Sequence, residues 1–196
     1  MYTCKKRLLL CLIFALTFHN AFAGENLFEH ARSLQRSGKS DEAIAAYKKY
    51  LTKSEDKKNI SDKELFFYTE ALIQLMNTFQ SKGDADGCIS ALDEVFTAST
   101  ILQKHCLRDF YAVRGYALSR TERMKEAEET MLKAFTLPPS VPTPQNYFRD
   151  YAYAAAVFYS NPKYQAEVVE WCKEAIHQAE LSKKNSGVQW VKSLLG

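Results

Sequence analysis

A pair of amphipathic helical stretches joined by a turn recurs along this chain at intervals of about 40 residues. Recurrence at that length confines the fold to stacked supersecondary units, each burying the apolar face of its neighbour. The clearest unit runs from Leu107 to Pro139. Tyr111, Arg114, Gly115 and Leu118 stand on its first stretch, and Met124, Ala127, Met131, Ala134 and Phe135 on its second. The unit before it carries Leu72, Leu75, Met76 and Phe79 at the i, i+3, i+4, i+7 positions of one buried helix face. Gly83 marks its turn, and Cys88, Leu92, Val95 and Phe96 line the returning helix. In the first unit Leu27, Ala31 and Leu34 precede Gly38, and Ala43, Tyr47, Tyr50 and Leu51 follow it. The fourth is more diverged, with Ala152, Ala155, Ala156 and Tyr159 on one helix and Val168, Cys172, Ala175 and Ile176 on the next.

The third unit, from Tyr111-x-x-Arg114-Gly115-x-x-Leu118 through Ala127 and Met131 to Pro138-Pro139, resembles the tetratricopeptide (TPR) repeat. The resemblance implies an all-α, right-handed solenoid of antiparallel helical hairpins. Gly115 and Ala127 are then small because the two helices of one hairpin cross there. Leu118, Met131 and Phe135 fill the seam, and Pro139 stops the second helix. Arg114 departs from the family's usual Leu, so either one core contact is lost or the side chain snorkels outward. The alternative architecture is another helical repeat or bundle.

Helix-start signals fall where this scheme needs them. Ser40 precedes Asp41 and Glu42, acids placed against the positive end of a helix dipole. Ser61-x-x-Glu64 reads as a capping box, and Thr143-Pro144 as an N-cap followed by a first-turn proline. The stretches Ser54 to Asn59, Pro138 to Thr143 and Lys183 to Gly187 read as connections between hairpins, so residues 24–196 are one domain. The terminal stretch Val188 to Gly196 reads as the first helix of a fifth unit, ending in Leu195-Gly196; the alternative is a short capping helix on the fourth hairpin.

Residues 1–23 read as an export signal. Lys5, Lys6 and Arg7 precede the apolar run Leu8 to Phe18, and Ala21-Phe22-Ala23 is an A-x-A cleavage signature, with cleavage expected between Ala23 and Gly24. The run is about half the ~20 residues of a spanning helix, which argues against a retained anchor. The chain is expected to be exported, periplasmic or secreted, with no membrane span after removal of the signal. Its 26 basic residues outnumber its 23 acidic ones only through Lys5, Lys6 and Arg7. The balance beyond residue 23 is therefore zero and argues for neither nucleic acid nor anionic lipid. Of five cysteines, Cys88, Cys106 and Cys172 lie beyond the signal; their apolar helical contexts point to buried thiols, one disulfide being the alternative.

No catalytic constellation is legible. His30, His105 and His177 are isolated, with no H-E-x-x-H, G-x-S-x-G, P-loop or G-x-G-x-x-G motif beside them. Asp41-Glu42 and Glu128-Glu129 are adjacent on helices, point apart and read as solvated faces. The expectation is a chain that is no enzyme, uses no cofactor and binds no metal. The family resemblance implies instead a protein or peptide partner on the concave surface lined by first helices. Carried onto this sequence, that surface comprises Phe28, Arg32, Gln35 and Arg36; Ile73, Asn77 and Gln80; Ala112, Tyr116 and Arg120; and Tyr153, Val157 and Asn161. Phe28, Tyr116 and Tyr153 are apolar anchors there, and the Arg and Asn side chains suit a carboxylate or a peptide backbone. In layout, an exported TPR array also resembles the extracytoplasmic sensor regions of some bacterial membrane-bound histidine kinases and one-component regulators. That resemblance makes the sensory, N-terminal part of a larger signalling protein the alternative to an interaction scaffold.

Overall fold

The structure is a computed structural model and describes residues 26–53, 59–183 and 187–195. The expected export signal, its cleavage point and Gly196 lie outside the described residues, as does most of the Ser54 to Asn59 connection. The described residues form an all-α array. Helices α1 (26–36) and α2 (Ser40–Leu51) make the first pair, α3 (Asp62–Lys82) and α4 (Ala85–Ala98) the second. A short α5 (Thr100–His105) leads to the third pair, α6 (Leu107–Leu118) and α7 (Met124–Phe135). The fourth pairs α8 (Pro144–Phe158) with α9 (Gln165–Leu181) across a 3-10 turn, Pro162–Tyr164, and α10 (Val188–Ser193) follows. The second helix of each pair packs on the first helix of the next: α2 on α3, α4 on α6 and α7 on α8, while α10 packs on α9. This is a TPR-like stack of helical hairpins.

Local chemistry sets the boundaries. Ser61 and Glu64 form both halves of the capping box at the start of α3. Thr143 accepts from the Asn146 amide ahead of Pro144, and Asp84 accepts from the Gly87 amide at the start of α4. Gly83 ends α3 at φ 71°, a left-handed backbone that only glycine adopts without strain. Ser40 is not a cap: α2 begins at Ser40 itself, and Lys39 before it makes no side-chain capping bond. The acids of its first turn carry that end of the helix instead.

The core follows the repeat. Ala31, Ala43, Tyr47, Leu72, Leu75, Met76, Leu92, Val95, Leu118, Ala127 and Met131 are fully buried. Each large apolar side chain so buried contributes roughly 1.5–3 kcal/mol. A β-carbon built on Gly115 would lie 3.2 Å from the Met131 amide nitrogen and 3.3 Å from the Ala127 carbonyl oxygen. The third hairpin is thus closed backbone to backbone at the position the repeat reserves for a small residue. Arg114, one residue before, leaves that core. Its guanidinium bridges Asp93 of α4 (2.7 and 3.1 Å) and Glu126 of α7 (3.1 Å), so the polar substitution joins two hairpins.

The fourth hairpin departs from the expected pattern at its turn. Tyr159 lies beyond the end of α8 and is exposed, while Phe158 is the buried aromatic, packed on Tyr164 and Trp171. Cys88, Cys106 and Cys172 are all buried free thiols. Burial pushes the Cys88 thiol from 9.0 up to about 12, helped by Asp84 nearby.

Gly115→Val forces a branched side chain into the α6–α7 contact and is expected to destabilise the fold by about 1–3 kcal/mol. The midpoint of thermal unfolding should fall by roughly 2–4 °C per kcal/mol. An unchanged midpoint would show that the two helices do not hold this approach in solution.

Candidate protein-binding face

The first helices lie side by side, α3 beside α6 and α6 beside α8. What fixes α8 on α6 is a buried set of four charges. Arg149 Nη2 donates to Asp109 Oδ1 and to Asp150 Oδ1, both at 2.6 Å, and Arg149 Nε donates to Asp150 Oδ1 at 3.0 Å. Arg108 Nε donates to Asp150 Oδ2 at 2.8 Å and its Nη1 to the Leu137 carbonyl at 3.1 Å. Asp109 also accepts from the Ser140 amide, and Asn146 joins Arg149 to the Val141 carbonyl. All four charged side chains are at most 9% exposed. Burial alone would lower the Arg149 pKa, but Asp150 and Asp109 outweigh it and hold the guanidinium firmly protonated. Two arginines against two aspartates leave no net charge.

One turn further along α8, and two along α6, aromatic rings from three elements meet. Tyr116 of α6 stacks on Tyr153 of α8 with centroids 4.3 Å apart and planes within 3°. Trp190 of α10 stands edge-on to Tyr116 at 6.2 Å. Tyr116 and Tyr153 are half-buried and Trp190 is 37% exposed, so the group is open to solvent on one side. Burial raises the pKa of both phenols, slightly offset by Arg120 at Tyr116 and by Arg149 at Tyr153; both are neutral donors at physiological pH.

The face is recessed. Gln145 of α8 donates to Glu70 of α3 at 3.3 Å, and Thr69 lies 3.3 Å from Ser140, so side chains of the second hairpin reach the fourth past α6. A cleft of about 210 Å³ opens between α3 and α8 at this point.

The other residues expected on this face are distributed differently. Asn77 and Gln80 are half-buried on α3, as is Ile73, which lines the cleft. Arg32 is half-buried, pairs with Glu29 at 2.9 Å and covers the Phe28 ring. Gln35 accepts from the Tyr47 hydroxyl at 2.8 Å, and Arg36 is exposed. Phe28 is no surface anchor. It is 2% exposed, with the Tyr47, Tyr50 and Phe67 rings within 6.1 Å, because α1 turns this side toward α2 and α3. Ala112 and Val157 are likewise core, each 1% exposed. Arg120 and Asn161 lie beyond the ends of α6 and α8. Arg120 borders a polar cleft with the Gly83–Asp86 turn, and Asn161 caps the 3-10 turn while donating to Glu128 at 2.7 Å. Arg108, Asp109, Arg149, Asp150, Glu70, Gln145 and Trp190 were not among the expected residues. The legible signal for the charged set is the dipeptide Arg-Asp, present on both α6 and α8.

A tetratricopeptide repeat family model matches residues 109–141, the third hairpin and the loop after it. A repeat of this kind suggests a protein–protein interaction scaffold. Neither the curated proteins nor the solved structures contain a match to this chain. Among the described residues no helix is long and apolar enough to cross a membrane. Nor do three His, Cys, Asp or Glu side chains among them gather as metal ligands.

Asp150→Ala leaves both arginines short of a partner at a buried site and is expected to cost about 3–5 kcal/mol of stability. Urea unfolding followed by circular dichroism measures it. A loss below about 1 kcal/mol would mean that the four charges are solvated and do not fix α8 on α6.

Proposed function

We propose that this TPR-like array is an exported interaction scaffold whose first-helix face takes up a segment of a partner protein. The observation that carries the reading is the Tyr116–Tyr153–Trp190 group. Three rings from three elements are held in fixed orientation, and solvent reaches one side of them. Rigid aromatics of this kind supply large contact area with few rotamers to freeze, which is why Tyr and Trp dominate binding hot spots. The half-buried Asn77 on α3 adds an amide group suited to the peptide bonds of an extended segment. The reading of export rests on the pattern of residues 1–23, a basic start, an apolar run and Ala21-Phe22-Ala23.

Peptides selected from a random display library on the folded domain give ligands for measurement. Tyr116→Ala and Tyr153→Ala should each weaken the selected peptides by about tenfold or more, an anchor loss of 1.4 kcal/mol upward. Glu129→Ala, on the exposed side of α7, should leave affinity unchanged. Peptides indifferent to both tyrosines but sensitive to Glu129 would place binding on the second helices. For export, the full chain expressed in a bacterium should be recovered from the periplasm with Gly24 as its first residue. An intact Met1 terminus in the cytoplasm would contradict it.

A further inference from the structure

The cleft between α3 and α8 contains one charge that nothing else in the described structure neutralises. Its lining includes Glu70 and Ile73 from α3 and Gln145, Phe148 and Arg149 from α8. Arg149 is no free cation. Nε and Nη2 are given to Asp150 and Asp109, and Nη1 to the Asn146 side-chain oxygen. Asp150 is balanced by Arg108, so the four buried charges at the back of the cleft cancel. The Asn146 amide nitrogen is occupied by the Val141 carbonyl and the Ser182 hydroxyl by the Ala179 carbonyl, so neither is a spare donor. Glu70 differs from all of these. It is half-buried, its hydrogen bond is to the neutral Gln145 amide at 3.3 Å, and it forms no ion pair among the described residues. Its carboxylate sets the sign of the cleft.

The apolar part of the lining decides the shape of what fits. Ile73 and Phe148 line the same cleft as the carboxylate, offering an aliphatic and an aromatic wall. A hydrated metal ion is poorly matched, since hard cations require about six oxygen ligands and the cleft offers one carboxylate. An anion is opposed by Glu70. The match is a cation on an apolar stem, whose methylenes lie along Ile73 and Phe148 while its head reaches the carboxylate.

We propose that this cleft receives a lysine or arginine side chain of the bound protein segment. The inference deepens the reading of the first-helix face and rests on it. Tyr153 lies one helical turn beyond Arg149 on α8, so a segment crossing the aromatic group passes the mouth of the cleft. The face then has two adjacent requirements, apolar residues over the rings and a basic side chain beside them.

The test uses single-residue probes, so that it does not depend on finding the natural partner. Isotope-labelled protein is titrated, with amide spectra recorded, against the Nα-acetyl methylamides of arginine, lysine, norleucine and glutamate. Arginine and lysine should produce saturable shifts at Ile73, Gln145 and Phe148. Norleucine, which has the stem without the charge, and glutamate should bind at least about tenfold more weakly, the worth of a charge-assisted hydrogen bond. Glu70→Gln, which keeps an amide partner for Gln145, should reduce arginine and lysine to the level of norleucine without changing the thermal midpoint. Glu129→Ala, on the exposed side of α7, should leave these titrations unchanged. Equal binding of norleucine, or arginine binding that survives Glu70→Gln, would overturn the assignment. A cleft that behaves as stated while Tyr116→Ala and Tyr153→Ala leave peptide affinity intact would instead count against the wider face and leave the cation site standing.

Discussion

Both candidate sites depend on how α8 is set against α6, and that is decided by four buried charges. Removing Arg108, Asp109, Arg149 and Asp150 from water costs several kcal/mol per ion, and only closely fitted partners repay it. Here every carboxylate oxygen in the set accepts at least one hydrogen bond, and each guanidinium reaches beyond its ion pair, to Leu137 or Asn146. Such a set adds little net stability, yet it penalises any slip strongly, because moving α8 by one turn would strand a charge in the interior. Apolar seams tolerate small shifts far better. The Tyr116–Tyr153 stack lies one turn beyond these charges on α8 and two on α6, the α3–α8 cleft is lined by Arg149 itself, and both share their register.

The hairpins themselves rest on a different constraint, backbone proximity. At Gly115 no side chain separates α6 from α7, so the third unit closes more tightly than a seam of larger residues permits. The same unit is where the tetratricopeptide repeat model matches. Arg114 shows how a departure from the repeat is absorbed. Its charge leaves the seam, and Asp93 and Glu126 turn it into a link between the second and third hairpins.

The stacked-hairpin fold was legible because it is written in periodicity and in small residues at fixed spacing. Ser61, Glu64, Thr143 and Gly83 all act at the ends assigned to them. The binding face was legible only in part. A 3.6-residue period tells which side of a helix is buried, but a first helix in such a stack is covered on more than one side. Phe28 therefore falls into the core between α2 and α3, whereas Tyr116 and Tyr153 keep an open edge. Arg120 and Asn161 were misplaced because α6 and α8 end before them, at turns whose capping chemistry outweighs the repeat register. The charge set left only a faint trace, the Arg-Asp dipeptide repeated on α6 and α8. Arg and Asp on helices ordinarily read as solvated, and only tertiary packing brings Asp109 to Arg149 across the α6–α8 junction.

Crosslinking in the cell tests the central claim, that the first-helix face is where a partner protein docks. A photoactivatable phenylalanine derivative placed at Tyr116, or separately at the exposed Leu132 of α7, captures whatever lies against each face. On the proposed reading, position 116 forms a discrete adduct with another protein, sensitive to Tyr153→Ala, and position 132 does not. Adducts from position 132 alone would contradict it and move the binding surface to the second helices.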